Sequence, residues 1–199
     1  TNNNAKMNIT RAAEIRGINN ENRTAEFIIS SETVDRHGTS FKLDAWDLAN
    51  YNRNPIVCYN HNSSGDNPDT IVGTSEVFKD GANLIGRVTF EAEGDNPLAD
   101  KVWKKINKGL LKMASVGAIV HEYRYGNTSK GEQSDTLYFT RAELLEWSIV
   151  SVGSNPDAFK RSAEQIDQLK ARLTPAPETM SVETAAKLRK FRLAKIKTN

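Results

Sequence analysis

Leu111-Lys112-Met113-Ala114-Ser115-Val116-Gly117-Ala118-Ile119-Val120-His121-Glu122-Tyr123 is the stretch from which the fold of this chain is read. It is apolar on both faces, and a strand buried on both faces lies in the middle of a sheet, not at its edge. One face carries Leu111, Met113, Ser115, Gly117 and Ile119. Ser115 and Gly117 are small where a buried strand normally wants bulk.

Neighbouring segments extend the sheet. Residues 71–78 and 84–91 flank Asp80-Gly81, a strong hairpin signal. Leu84, Val88 and Phe90 share one face of the second strand, while Arg87, Thr89 and Glu91 share the other. Residues 23–31 read as the first strand, and residues 55–60 as an apolar strand that runs into His61. A turn-forming run follows, Asn62-Ser63-Ser64-Gly65-Asp66-Asn67-Pro68. Asp44 is expected to cap a brief helix through Ala45, Trp46, Leu48 and Ala49. A longer helix has Asn96 as its cap, Pro97 in its first turn and Gly109 at its end. Its apolar stripe is Ala99, Val102, Trp103 and Ile106. Beyond a polar hairpin over 126–134, residues 137–140 and 144–152 read as two further strands. Asn155-Pro156 opens a helix that runs to about Leu173. Pro175-Ala176-Pro177 is a linker, and Ser181 caps a last basic helix.

The expected class is mainly β with peripheral helices (α+β), a closed or nearly closed barrel of about seven strands. The organisation follows: a flexible N-terminus over 1–9, a barrel domain over 10–160, a C-terminal helix over 161–174, and a linker with a basic helical tail over 175–199.

The length of 199 residues suits one domain of roughly 150 residues and an appendage. Hydrophobic content of 38% and charged content of 26% fit a soluble globular protein. No apolar run approaches the roughly 20 residues of a membrane span, and Thr1 to Ile15 lacks the apolar stretch of a signal peptide. A single cysteine, Cys58, excludes an internal disulfide and suits a reducing compartment. The cysteine and three scattered histidines lack zinc-ligand spacing, and no glycine-rich phosphate loop is present, so no metal or cofactor is expected. The net charge of +2 is uneven. Residues 160–199 hold ten Lys and Arg against four Asp and Glu, which leaves −4 for residues 1–159. That acidic part holds the candidate site, so nucleic acid is not an expected partner.

A serine hydroxyl is a poor nucleophile until a base sits beside it, and the base needs an orienting group. His61, Ser115 and Glu146 supply such a set. Each also has a plainer reading: Ser115 as a packed serine, His61 as an ordinary polar residue at a strand end, Glu146 as half of a salt bridge. A buried carboxylate needs some partner in any case. Among competitors, His121 is six residues from Ser115 on the same strand, roughly 20 Å away at about 3.3 Å per residue. His37 lies in a turn-like segment and stays in contention. Strand parity puts Cys58 opposite His61, and puts Glu143 on the face opposite Glu146.

Several segments together resemble the prohead maturation proteases of tailed bacteriophages, a family similar in fold to the herpesvirus assemblins. The matching pieces are Asp35-Arg36-His37-Gly38 with the 41–46 segment, then Asn54-Pro55-Ile56-Val57 with His61. Gly109 to Gly117 follows, and then Leu145-Glu146-Trp147-Ser148-Ile149-Val150 through Asn155-Pro156-Asp157-Ala158. In order they cover about residues 10 to 160. The chain departs from the pattern at Gly153-Ser154, where the family usually has Pro-Ala.

The resemblance implies that Ser115 is the nucleophile, His61 the general base and Glu146 the third member. It implies a β-barrel ringed by helices. The implied activity is a serine endopeptidase that cleaves scaffold protein, or the scaffolding segment of the major capsid protein, inside the prohead in the host cytoplasm, and also cleaves itself. Scaffold and major capsid protein are then its partners, with a homo-oligomer also in view and no membrane. The rival reading is an inactive capsid- or scaffold-binding assembly module of the same fold. For the basic tail the readings are a solvated face, a recruitment element for an acidic scaffold, or a segment removed by self-processing.

Overall fold

The computed structural model describes residues 5–9, 15–35, 38–63, 65–151 and 166–173. The basic tail, His37 and the Asn155-Pro156 helix start lie outside them. Ten strands form one mixed sheet. They are β1 (Ala5–Ile9), β2 (Ile15–Asn19), β3 (Thr24–Ser31), β4 (Thr39–Phe41), β5 (Trp46–Asp47), β6 (Ile56–Tyr59), β7 (Ile71–Asp80), β8 (Asn83–Phe90), β9 (Met113–Tyr125) and β10 (Leu137–Val150). Helix α1 spans Pro97–Asn107, and a helical segment, α2, covers 166–173.

The strands pair in the order β1-β9-β10-β6-β7-β8-β3-β2. The order corrects the barrel expectation. Among the described residues the sheet has ten strands and does not close, because β1 and β2 end the path without pairing to each other. Arg16 to Asn19 of β2 are exposed, and Arg16 forms an ion pair with Asp80, so the edge is charged, a device that discourages further strand pairing. Residues 5–9, within the stretch expected to be flexible, form β1 against β9. The strand expected to be first is therefore third.

The sheet bends over one core. Phe27 of β3 meets Trp147 of β10 at a ring distance of 5.8 Å, although three strands separate them along the pairing path. Trp147 is fully buried and its indole N–H donates to Ser75 Oγ at 2.8 Å. At roughly 25 cal/mol per Å² of apolar surface, large buried rings such as Trp147, Phe27, Phe41 and Phe139 are the main source of cohesion here.

The two strands expected over 137–140 and 144–152 are one long strand, β10. Its register shifts at Thr140 and Leu145 supply the break that reads as a boundary. Beside β9 on one flank, β10 takes β4, β5 and β6 in succession on the other, all parallel to it. The segment from residue 39 to 59 thus runs along β10 in three short pieces and delivers His61 to the far end. The brief helix expected after Asp44 is a single 3-10 turn, Leu43–Ala45, without a side-chain cap. Asp44 instead accepts from Lys79 Nζ at 2.7 Å, and Trp46 and Asp47 go into β5 because β10 offers them ladder hydrogen bonds.

α1 follows its sequence signals. The side chain of Asn96 accepts from Leu98 N and Ala99 N, and its amide donates to Asp69 O, Ile71 O and Glu91 Oε1. Ala99, Val102, Trp103 and Ile106 are buried, and Gly109 has the positive φ of +66° that stops the helix.

The loop between β9 and β10 is pinned by Glu132, which is nearly buried. It accepts from both terminal nitrogens of Arg124, from Asn127 N and from Lys42. The Arg124 guanidinium and the backbone N–H hold its carboxyl well below the usual range. A depressed carboxyl stabilises the fold above its unfolded pKa, about 4.3, and that stability is lost as pH falls toward the folded value. Glu132→Gln should therefore lower the melting temperature at pH 7. The gap to the unsubstituted protein should narrow as the pH is taken from about 5 downward. A constant gap across that range, measured by thermal melts, would contradict the assignment.

Candidate active site

The site begins with a two-residue turn after β6. Asn60 and His61 both have left-handed backbone conformations, φ +52° and +59°, and Asn62 N closes the turn onto Tyr59 O at 3.2 Å. Such conformations cost of order 1–3 kcal/mol in non-glycine residues and persist when the surroundings over-determine them. Here Asn60 N donates to Ile149 O, Asn60 Oδ1 accepts from Ser151 N, and His61 N donates to Ser148 Oγ at 3.1 Å. The turn is thereby tied to the end of β10, and it aims the imidazole back over the sheet.

What it meets there is Glu146. His61 Nδ1 lies 2.7 Å from Glu146 Oε1, and Glu146 Oε2 accepts from Ser148 Oγ at 2.8 Å. A carboxylate only accepts, so Nδ1 carries the proton and Nε2 of the neutral ring is left as an acceptor. The His61 side chain keeps 26% of its surface exposed and that of Glu146 14%, so the pair is reachable but largely dry.

A bulge makes this pairing geometrically available. Between Leu144↔Ala118 and Glu146↔Gly117 the register slips by one residue, at Leu145. Without it Glu146 would face the core alongside Leu144, since one extra residue switches every later side chain to the other face. With it Trp147 and Ile149 turn inward, while Glu146 and Ser148 join Gly117 and Ser115 on the site face. The bulge also corrects the parity reading of Glu143. Paired with Ile119, Glu143 shares the face of Glu146. It is engaged elsewhere, accepting from Asn50 Nδ2 at 3.0 Å and lying 3.5 Å from His121 Nε2.

Gly117 is required by close approach. A Cβ there would sit 2.6 Å from Glu146 Oε1, so the space left by the small residue holds the carboxylate. Ser115 pairs directly with Ser148 across the β9–β10 ladder. Cross-strand partners have their Cβ atoms roughly 4.5–5.5 Å apart, so Ser115 is one side chain removed from the group that holds His61. Its hydroxyl is buried, at 1% exposure, and has no hydrogen-bond partner. Structure thus joins His61 and Glu146 directly and puts Ser115 on their face without a bond to either.

Beside the pair opens a cleft of about 660 Å³, lined by Asn50, Arg53, Asn54, Ile56, Ser63, Gly117 and Leu145. Ser115 does not line it. Tyr51 also borders the cleft, but its hydroxyl donates to Ile56 O and burial pushes its pKa up to about 12, so it stays protonated. Burial likewise pushes Cys58 up to about 11, with the Glu146 charge adding to the effect, and the thiol is enclosed in the core. It offers no thiolate near neutrality. Among the described residues no cluster of His, Cys, Asp and Glu could hold a metal.

The sequence model of the family described as caudovirus prohead serine protease matches residues 20–172. This chain belongs to that family. Among solved structures, it is similar to the bacteriophage T4 capsid assembly protease, gp21, with 16% sequence identity over 74% of this chain and 96% of that one, at a TM-score of 0.45. No curated protein matches it.

Sequence reasoning named His61 and Glu146, which meet here, and Ser115, which stays covered beside them, but it missed three things. Ser148 was visible only as a neighbour on the face of Glu146. The Leu144-Leu145 pair, which breaks the apolar alternation, was the available sign of the bulge. The cleft wall from Asn50 to Asn54 carried no signal, because a polar loop looks alike whether or not it borders a site.

Proposed function

We propose that this member of the prohead serine proteases is the capsid-maturation endopeptidase of its phage. It cuts scaffold protein, or the scaffolding segment of the major capsid protein, inside the prohead in the host cytoplasm, and it cuts itself. The observation that carries the reading is the His61–Glu146 hydrogen bond of 2.7 Å on the face that holds Ser115, within a family of serine proteases. Ser115 Oγ attacks the scissile carbonyl and passes its proton to His61 Nε2. Glu146 holds Nδ1 and stabilises the imidazolium. The imidazolium then protonates the leaving amine, and water, activated by the same ring, releases the acyl-enzyme. Backbone N–H groups are the proposed oxyanion donors. Because Ser115 is covered, substrate entry has to uncover its hydroxyl.

That same covering favours a second reading, a capsid- or scaffold-binding module that does not cut. A binding module, however, has no use for a histidine in a left-handed turn held against a half-buried carboxylate. The deciding experiment incubates the chain with the scaffold and major capsid proteins of its own phage and maps new termini by mass spectrometry. Termini made by the unsubstituted chain and absent with His61→Ala support the protease. No new termini, or the same ones with both, would leave the binding module standing.

Gly117→Ala provides a finer check. The added methyl meets the Glu146 carboxylate first and displaces it from His61 Nδ1, so kcat/KM should fall about 10- to 100-fold, as misplacements near 1 Å do. The melting temperature should change little. Unaltered turnover would mean that the carboxylate position is immaterial.

A further inference from the structure

We propose that Ser148 is a positioning residue of this site, its hydroxyl setting the His61 backbone and the Glu146 carboxylate in one fixed relation. The proposal rests on the reading of His61 as base and Glu146 as its orienting group.

A hydroxyl has one proton to give and two lone pairs to receive. Ser148 gives the proton to Glu146 Oε2 at 2.8 Å and receives the backbone N–H of His61 at 3.1 Å. With Glu146 Oε1 on His61 Nδ1 at 2.7 Å, the contacts close a ring that takes in both the main chain and the imidazole of His61. The side chain of Ser148 has no solvent exposure, so bulk water cannot take over either bond. Removing the hydroxyl leaves Oε2 free to rotate and leaves the N–H at the apex of a left-handed turn without its partner. Both consequences act on the same ring nitrogen.

Two further observations point the same way. The slip at Leu145 brings Glu146 and Ser148 onto one face together, so the two arrive as a unit spaced by the buried Trp147. The serine across the ladder, Ser115, has no hydrogen-bond partner, whereas the Ser148 proton is committed to a carboxylate. Two adjacent hydroxyls are thereby divided between roles. The committed one holds the machinery, and the uncommitted one keeps its proton free of any partner.

The test measures the tautomer of His61 and the turnover separately. In a Ser115→Ala background, which removes self-cleavage, ¹⁵N chemical shifts of the His61 ring should report the Nδ1–H form near pH 8. Adding Ser148→Ala should convert a measurable share of the ring to the Nε2–H form. With Ser115 intact, Ser148→Ala should lower kcat about 10- to 100-fold and leave KM within about twofold, the range in which supporting hydrogen bonds act. Ser148→Cys keeps the side-chain shape with a somewhat larger atom and a weaker donor. It should fall between the two, and it carries the test if the alanine variant does not fold. A purely structural role predicts a lower melting temperature with tautomer and kcat unchanged, and that result would overturn the proposal. Failure of the underlying reading looks different, since His61→Ala would then cleave as well as the unsubstituted chain.

Discussion

Ser115→Ala should reduce cleavage of the capsid substrates by about 10⁴-fold or more, because a serine protease without its nucleophile keeps only what binding and oxyanion donors supply. The substitution removes one oxygen from a buried position and deletes a hydroxyl that has no partner, so no hydrogen bond is lost. An unsatisfied buried hydroxyl costs roughly 1–3 kcal/mol, and the alanine variant should consequently be as stable as the unsubstituted chain or slightly more so. Activity and stability moving in opposite directions is the signature of a group kept for chemistry. The measurement pairs product formation on gels with thermal melts of the same samples. Cleavage at the original rate would remove Ser115 from the mechanism, and a large loss of stability would return it to the plainer reading of a packed serine.

The second large effect belongs to Glu146→Gln. The amide is isosteric, yet it cannot reproduce the pattern around it, where one oxygen faces His61 Nδ1 and the other accepts from Ser148. If the amide oxygen faces the ring, the Ser148 proton loses its acceptor. If the nitrogen faces the ring, Nδ1 must become the acceptor, which puts the proton on Nε2, where the base is needed. In both arrangements the negative charge that stabilises the imidazolium is gone. The expected loss in kcat is about 10³- to 10⁴-fold, comparable to that of replacing the carboxylate of other triads by an amide. Progress curves over pH 6–9 with a peptide spanning a mapped cleavage site would measure it. A loss under tenfold would show that Glu146 serves the fold alone.

Much of the fold was legible because it depends on local patterns. The α1 cap at Asn96, its stop at Gly109 and its buried stripe follow from interactions within one turn or a few residues. The Asp80-Gly81 hairpin between β7 and β8 is equally local. Asp44 shows the limit of such reasoning. Its capping propensity yields to a salt bridge with Lys79 and to the hydrogen bonds that β10 offers Trp46 and Asp47. Glu143 shows the same limit within a strand, because alternation holds only until a residue is inserted, and a bulge depends on the partner strand.

Taken alone, the chain of residues determined that this is a mainly β protein of the prohead protease type and that His61, Ser115 and Glu146 are the groups worth watching. Composition, local periodicity and ordered motifs carry that information. Tertiary structure alone decided that the sheet stays open, that Leu145 turns Glu146 toward His61, that Ser148 closes the ring between them, and that Ser115 is covered. Each of these depends on the register between strands far apart in the chain. Register is settled by which whole set of side chains packs best across the sheet, and a period of two along one strand does not encode it.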